Sequence, residues 1–375
     1  MLIEGNKTVC KLNNCTGCMA CVDICPKDAI KIVDDLNSYN AVIDFNKCVE
    51  CDLCNKVCQQ NHTIKLQQPV LWYQGWAEDD EIRKNASSGG IASAISNAFF
   101  ENGGIVCSCV FSNGQFKFQF AENAAEINKF AGSKYVKSNP KGIYLKVKNK
   151  LIEGQKVLFI GLPCQVSGLK KFVGEKYLDS LYTVDLICHG TPSPKLLQNF
   201  LYQYKVNLSD LNDVRFRVKG KFQISDRSKG IITNGVCDRY SIAFLNSLIY
   251  TENCYECNYA KKERVSDITL GDSWGSKLDQ EEQLKGVSLV LCQTEKGKRL
   301  LDSSKIHLED VCIENAISNN KQLSHPSIKP KGYETFFKEI KKGKKLNNLV
   351  TKILPKQSIR QDIKEILIKC KVIKY

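Results

Sequence analysis

Eight cysteines near the start of the chain have the spacing of iron–sulfur ligands. They form two runs of four, and within each run the cysteines are separated by two, two and three residues. This spacing lets three thiolates of a run reach one cubane while the fourth crosses to the neighbouring cubane. We therefore predict two [4Fe–4S] clusters, one held by Cys15, Cys18, Cys21 and Cys58 and the other by Cys48, Cys51, Cys54 and Cys25.

Zinc and disulfide bonds are the competing interpretations of these cysteines. Zinc sites often use pairs of cysteines, but a third cysteine after another two residues is uncommon in them. A disulfide framework would not persist in a reducing cytoplasm. The chain has 19 cysteines and no leading basic-then-apolar segment, which favours a cytoplasmic, metal-binding protein. No uncharged apolar run reaches the length of a membrane span.

Four later cysteines are placed for a third metal centre. Cys164 follows the apolar segment 157–161, and Cys188 follows the apolar segment 181–187. A helical pattern separates the two segments, which predicts a βαβ unit whose parallel strands end at one edge of a sheet. A later C-x2-C pair completes a set that suits a [4Fe–4S] cluster, with zinc at that pair as the alternative. The predicted ligands are Cys164, Cys188, Cys254 and Cys257.

Apolar patterning predicts the other elements that must position these cysteines. Residues 71–77 predict the first strand of a large domain, and residues 266–272 predict a later strand. Alternating apolar residues on both sides of Asn113-Gly114 predict a β-hairpin. Within that hairpin Cys107 and Cys109 share one face of a strand and are expected to be buried small residues.

Two polar segments of the large domain are weaker signals. Residues 87–90 read Ser-Ser-Gly-Gly before a helical pattern, and small residues at a helix start leave N–H groups approachable to phosphate. An ordinary serine helix cap explains the same residues. Residues 132–135 read Gly-Ser-Lys-Tyr, which by composition indicates a loop. The chain has no G-x-G-x-x-G after a strand, so it is not a Rossmann dinucleotide binder by motif.

The order of these motifs is similar to that of the family of coenzyme F420 hydrogenase/dehydrogenase beta subunits, behind a domain that resembles a bacterial two-cluster ferredoxin. One departure is Gln59, which stands where that ferredoxin family usually has proline. The resemblance implies an α+β ferredoxin-like two-cluster domain over residues 1–66, followed by an α/β flavin-binding domain over residues 70–330. The motifs that carry it are Ser87–Gly90, Gly132–Tyr135, Gly161–Gln165, Cys188–Pro192, Cys254–Cys257 and Ile268–Trp274.

The resemblance also implies an activity. It is that of an iron–sulfur flavoprotein oxidoreductase, which passes electrons between a hydride carrier, coenzyme F420 or NAD(P)H, and a one-electron acceptor such as ferredoxin. Lys134 is expected beside the flavin N1–C2 edge, and no catalytic residue is predicted. The alternative is a non-catalytic relay or docking subunit of a larger redox complex, linked to cell-surface polysaccharide synthesis. The implied FAD contacts are Ser87, Ser88, Gly89, Gly90, Gly132, Ser133, Lys134 and Tyr135.

Residues 331–375 are expected to form a basic helical extension. The formal charge of the chain is +14, and residues 326–375 hold 14 Lys or Arg against four Asp or Glu. No nucleic-acid-binding motif accompanies this charge. Helical spacing of apolar residues from 358 to 373 predicts an amphipathic helix that packs on its own domain, with a redox partner subunit or an anionic membrane surface as the other open partners.

Overall fold

The computed structural model describes residues 7–226 and 229–374, so residues 1–6, 227–228 and 375 of the predicted domains lie outside the described part. The helices are α1 Ala20–Ile24, α2 Leu53–Val57, α3 Asp80–Asn85, α4 Ile91–Glu101, α5 Ala124–Ile127, α6 Ile143–Ile152, α7 Pro163–Val173, α8 Pro194–Tyr202, α9 Arg239–Leu245, α10 Gln280–Lys285, α11 Glu295–Asp302, α12 Ile313–Asn319, α13 Tyr333–Lys341, α14 Leu346–Ile353 and α15 Pro355–Lys369. The strands are β1 Ile30–Asp34, β2 Tyr39–Ile43, β3 Leu71–Ala77, β4 Ile105–Ser112, β5 Gln115–Phe120, β6 Val157–Gly161, β7 Leu181–Leu186, β8 Arg215–Val218, β9 Lys221–Asp226, β10 Lys229–Gly230, β11 Ile268–Asp272, β12 Ser288–Cys292 and β13 Ile306–Asp310.

An eight-stranded mixed sheet forms the centre of the molecule. Its strand order is β13-β3-β12-β11-β7-β6-β4-β5. The four neighbours β11, β7, β6 and β4 are parallel, and antiparallel strands complete both sides. Every residue of β6 is buried, because helices cover both faces of a parallel region and leave no polar side. The predicted βαβ unit is confirmed, since β6 and β7 pair in parallel around α7.

The predicted hairpin is also present. Strands β4 and β5 pair antiparallel, with Ser112 opposite Gln115. Asn113 and Gly114 turn the chain with φ of 51° and 72°, the left-handed pair that a two-residue hairpin turn requires. Cys107 is fully buried in this hairpin, in line with the expectation of a small core residue, whereas Cys109 is half-buried.

The N-terminal region is joined to the large sheet through a common hydrophobic core. Helix α1 packs against α6 and α7, and α2 packs against α7. Buried side chains of the β1–β2 hairpin belong to the same core. Cys18 belongs to the same buried cluster as Tyr144 and Leu169. The carboxylate of Asp23 accepts the backbone N–H of Gly142 at 2.8 Å. The two predicted domains therefore share an interior in addition to the linker between them.

The C-terminal region is largely part of a second core. Helices α13 and α14 bury Tyr333, Phe336 and Val350 in a core with α8, α9 and the strands β8 and β9 of the small sheet. Residues 333–353 are helical, as predicted, but they are packed into the domain. Their aromatic and aliphatic side chains complete the core.

Helix α15 packs on the protein through its polar face, whereas the prediction had its apolar face inward. Pro355 begins the helix at its first turn, where proline is tolerated. Ile359, Ile363 and Ile366, which we expected to face the core, are 53%, 53% and 59% exposed. No helix in the described ranges is both long enough and apolar enough to cross a bilayer.

Candidate functional site

The two N-terminal cysteine runs fold in the same way. Met19 and Asp52 follow the second cysteine of each run, have φ of 63° and 60°, and begin α1 and α2. The fourth cysteines, Cys25 and Cys58, end these helices with φ of −74° and −70°. A non-glycine residue in the left-handed region costs free energy, so both loops use an uncommon backbone to turn their cysteines inward.

Each loop borders one cavity, and the fourth cysteines cross over between the two. The cavity that we call the inner cavity is bordered by four of the predicted ligands, Cys15, Cys18, Cys21 and Cys58. The second, the outer cavity, is bordered by Cys25, Cys48, Cys51 and Cys54. The structure thus brings the eight cysteines together in the two predicted sets. Burial distinguishes them, because the inner set is buried whereas Cys51 is exposed.

A fifth thiol in the inner cavity was missed by the sequence reasoning. Cys10 is buried and lines this cavity beside Cys15 and Cys58. It lies outside the repeated spacing, so no pattern pointed to it.

A third cavity, the sheet-edge cavity, collects the four later cysteines from separate segments. Cys164 is the second residue of α7, which follows β6 directly, and Cys188 lies two residues after β7. Cys254 and Cys257 come from the loop before β11, and all four border the same space. Burial raises the pKa of the Cys164 and Cys257 thiols and that of Cys188 to about 12. Binding of metal here must therefore release protons.

A buried ion pair holds the loop that carries Cys257. Arg264 Nη2 lies 2.7 Å from Asp185 Oδ1, and the two side chains are 1% and 0% exposed. The same guanidinium donates to the carbonyls of Tyr259 at 2.7 Å and Leu186 at 3.0 Å. It thereby joins the end of β7 to the loop after Cys257. No sequence pattern identified this pair.

Two side chains connect the inner cavity with the sheet-edge cavity. Gln59 Nε2 donates to Thr16 Oγ1 at 3.0 Å, and the hydroxyl of Tyr259 donates to Gln59 Oε1. Thr16 and Gln60 line both cavities. The glutamine that replaces the usual proline is therefore 1% exposed and makes contacts that proline could not make. In the sequence, the only signal for these contacts was the glutamine at position 59 in place of the proline of the ferredoxin pattern.

Lys137 is a buried cation between the same two cavities. It is 5% exposed, and its ammonium donates to the carbonyl of Thr16 at 3.1 Å and lies 5.1 Å from the centre of the Tyr39 ring. The pKa of Cys15 is lowered mainly by its hydrogen bond with Cys10, and the charge of Lys137 acts in the same direction. At Cys164, in the other cavity, burial raises the pKa and the charge of Lys137 opposes that rise. No motif or spacing in the sequence pointed to this position.

Each set of cysteines surrounds a cavity, and its thiols do not converge on the position of a single metal ion. Across residues 7–226 and 229–374, no three His, Cys, Asp or Glu side chains are grouped so that they could bind a single metal ion. A cubane occupies a volume between its thiolates and is reached from several sides. The three cavities have this form.

The structure brings the two predicted flavin segments together. Ser133 N donates to Ser87 Oγ at 2.8 Å. Gly89 N donates to Ser288 Oγ at 3.0 Å, and a Cβ at Gly89 would lie 2.4 Å from the Gly75 carbonyl oxygen. The cap of α4 is Gly90, in the left-handed conformation and without a side-chain cap. The alternative of a serine cap is therefore wrong.

The ammonium group of Lys134 contacts carbonyl groups of its own loop. Its ammonium donates to the carbonyls of Phe130, Ala131 and Gly132, at 2.9, 3.1 and 3.1 Å. Burial lowers the pKa of this amine. Lys134 thus closes its own loop, and a place beside a flavin edge stays a prediction from residue type.

Two other cations, both missed from the sequence, lie against residues 87–90. Arg217 donates to both carboxylate oxygens of Asp272 at 2.7 Å and to the Ser87 carbonyl at 2.9 Å. Lys219 donates to the carbonyls of Ser88, at 2.9 Å, and Arg83. Burial and the charges of Arg83 and Arg217 lower the pKa of Lys219 to about 8. We call residues 87–90 and 132–135 with Arg217, Lys219 and Asp272 the cationic loop site.

His189 lies between this site and the sheet-edge cavity. It borders the cavity directly after Cys188, and its carbonyl accepts the Ser327 hydroxyl at 2.6 Å. Its side chain is exposed, and it lies within electrostatic range of both Asp272 and Arg217. The cationic loop site is therefore next to the third cysteine set.

Three family descriptions match consecutive parts of the chain. Residues 14–62 match a 4Fe-4S dicluster domain. Residues 72–141 match the N-terminal part, and residues 154–313 the C-terminal part, of the coenzyme F420 hydrogenase/dehydrogenase beta subunit. The two beta-subunit matches together cover more than half of the chain.

Curated proteins and one solved structure are similar to the chain at low identity. It is 24% identical over 333 residues to a subunit of the F(420)H(2) dehydrogenase of Methanosarcina mazei, with 79% of this chain and 83% of that protein covered. It is 22% identical over 349 residues to the coenzyme F420-dependent sulfite reductase of Methanocaldococcus jannaschii, covering 90% of this chain and 52% of that protein, about half its length. A chain of the F420-reducing [NiFe] hydrogenase complex of Methanosarcina barkeri superposes with a TM-score of 0.49 at 22% identity, over 71% of this chain and 97% of that chain.

Proposed function

Since this chain belongs to the family of coenzyme F420 hydrogenase/dehydrogenase beta subunits, we propose that it is an iron–sulfur flavoprotein that transfers electrons between coenzyme F420 and a one-electron acceptor. The family is one of iron–sulfur oxidoreductase subunits, and the dicluster match covers the eight N-terminal cysteines. NAD(P)H is the other hydride carrier of matching chemistry. In this proposal all twelve predicted cysteines that border the three cavities are ligands of [4Fe–4S] clusters.

The observation that carries the proposal is the serial order of the three cavities. The outer cavity includes the exposed Cys51, the inner cavity is buried, and the sheet-edge cavity follows it across Thr16 and Gln60. A Cβ at Gly168, in α7, would lie 3.0 Å from Cys18 Sγ. The inner cavity therefore lies directly against the helix that carries Cys164. Clusters in these positions would form a continuous path from the surface to the cationic loop site.

The cationic loop site has the donor chemistry for an anionic cofactor. Arg217 is neutralised by Asp272, but Lys219 adds a further cation whose own charge is disfavoured by its neighbours. A diphosphate would relieve that repulsion, because it supplies negative charge to hydrogen-bond donors. Ser87 and the main chain of residues 132–135 would line the same ligand. When bound, FAD supplies the conversion between hydride transfer and single-electron transfer.

The residues around the site have separate tasks in this reaction. The carrier gives up a hydride and a proton, two acceptor molecules each receive one electron, and two protons return to solvent. Lys219 would hold the anionic groups, and Arg217 would position the adjoining loop through its hydrogen bond to the Ser87 carbonyl. His189, which borders the sheet-edge cavity and is exposed, would be a titratable group through which a proton can reach solvent.

Anaerobic reduction of the purified full chain tests the proposal. We expect about twelve iron per chain from three four-iron clusters, flavin absorbance bands, and oxidation of reduced F420 coupled to reduction of a viologen dye. Arg217→Gln should lose flavin and carrier oxidation while the iron content stays. Clusters without flavin and without oxidation of F420 or NAD(P)H would instead establish an electron-relay subunit. About eight iron with one zinc would remove the third cluster.

A further inference from the structure

Helix α15 is attached to the protein through its polar side. Gln361 Oε1 accepts the backbone N–H of Cys237 at 3.0 Å, and Asp362 Oδ1 accepts from Arg239 at 2.6 Å. Glu365 accepts the hydroxyl of Thr233 at 2.5 Å, and Ser358 is fully buried. These residues lie on one face at helical spacing. The outward face of the helix is therefore the one that carries Ile359, Ile363 and Ile366.

The outward face presents a row of isoleucines. Ile359, Ile363 and Ile366 follow one another at intervals of four and three residues and are 53%, 53% and 59% exposed. Val372, just past the helix, is 67% exposed. Most exposed aliphatic residues elsewhere in the described chain are isolated in sequence. A continuous row on one helix is the pattern of a face that another phase or molecule covers.

Basic residues flank this row, and the acidic residues of the helix face the protein. Lys356, Arg360 and Lys364 are exposed and share a flank of the row, each lying one residue after or three before an isoleucine. The helix holds two acids, Asp362 and Glu365, and both contact the protein as described above. The charge available to a partner is thus positive, and it complements a dense anionic surface.

We propose that the outward face of α15 binds a membrane surface that contains anionic lipids. The isoleucines enter the boundary between headgroups and acyl chains, and the lysine and arginine ammonium and guanidinium groups contact lipid phosphates. This is the arrangement of an interfacial amphipathic helix. The helix is already folded and fixed by its polar contacts, so binding requires no ordering of the segment. The assignment is independent of the electron carrier.

Vesicle sedimentation of the full chain tests this surface. Wild-type protein should sediment with vesicles of phosphatidylglycerol and phosphatidylcholine, and not with phosphatidylcholine alone. Each of Ile359→Gln, Ile363→Gln and Ile366→Gln should weaken binding roughly tenfold, the contribution of one buried aliphatic side chain. Each of Lys356→Gln, Arg360→Gln and Lys364→Gln should weaken it about fivefold, and salt should have the same effect.

Matched variants separate this surface from general stickiness. Ile152→Gln and Leu284→Gln alter residues that are 56% and 69% exposed elsewhere and should leave sedimentation unchanged. Equal binding to phosphatidylcholine, or equal loss in these controls, overturns the proposal. So does wild-type protein that fails to sediment with either vesicle. A dimer that the isoleucine variants dissociate in light scattering, without vesicle binding, would assign the face to a second copy of the chain.

Discussion

The outer cavity and the sheet-edge cavity are each bordered by four cysteine thiols, but the two are built in different ways. The outer set lies within residues 25–54, on two short loops with exposed surroundings. The sheet-edge set spans residues 164–257 and is held by β6, β7 and a loop fixed by the buried pair of Arg264 and Asp185. Local spacing forms the first site, and strand topology forms the second. We therefore expect the outer site to depend on its metal and the sheet-edge site to depend on its scaffold.

Removal of iron should produce the largest difference between the two regions. Anaerobic chelation should abolish hydrogen-exchange protection at residues 46–58, because so short and exposed a loop is stabilised by its metal. The amides of β6, β7 and β11 should remain protected, since their pairing belongs to the central sheet. Loss of protection in all three strands on chelation would contradict the comparison.

The scaffold of the sheet-edge cavity can be broken without touching a cysteine. Arg264→Gln should lower the free energy of unfolding by about 3–5 kcal/mol, because it leaves the buried Asp185 carboxylate uncompensated. Arg239→Gln is the matched control. Its partner Asp362 is half exposed, so we expect about 1 kcal/mol or less. Urea denaturation measures both, and equal losses would show that burial of the pair does not matter.

Buried and exposed lysines should differ in their effect on cluster potential. Lys137→Met should lower the reduction potentials of the clusters in the inner and sheet-edge cavities, because a nearby cation stabilises the more negative, reduced form. The expected shift is about 60 mV, which corresponds to a tenfold change in a one-electron equilibrium. Lys137→Arg should retain most of the potential. Lys27→Met, at the exposed rim of the outer cavity, should shift it little because water and salt screen that charge. Redox titration followed by electron paramagnetic resonance measures each case.

The smallest effect concerns pH at the cationic loop site. Lys219 has a pKa lowered to about 8, and it faces Arg83, Arg217 and Asp272. A bound anion favours the charged amine, so FAD affinity should be highest below pH 8 and fall severalfold as the pH rises through that value. Lys219→Met should bind more weakly and lose this dependence. If FAD affinity has the same pH profile in the variant as in the wild type, Lys219 does not contact the anion.

Much of this molecule was predictable because its signals are local. The eight N-terminal cysteines sort into their two cavities by spacing, since a loop of two or three residues leaves few arrangements of the thiols. The hairpin at Asn113-Gly114 and the parallel pair β6–β7 follow from turn chemistry and continuous apolar runs. Residues 87–90 and 132–135, which the resemblance associated with flavin, lie together in the structure, and their role in binding flavin stays a prediction.

What the sequence could not specify are contacts between distant segments. Gln59 with Tyr259, Arg264 with Asp185 and Arg217 with Asp272 join residues that are 200, 79 and 55 positions apart. No periodicity connects such positions, because it records only which face of one element is apolar.

The orientation of α15 shows the same limit most directly. Its sequence determined that an amphipathic helix would form, and by itself favoured an inward apolar face. Arg239, Thr233 and Cys237 lie opposite it and bind Asp362, Glu365 and Gln361. These hydrogen bonds exist only once the rest of the chain has folded. The tertiary structure therefore decided that the polar face turns inward and that the isoleucines face outward.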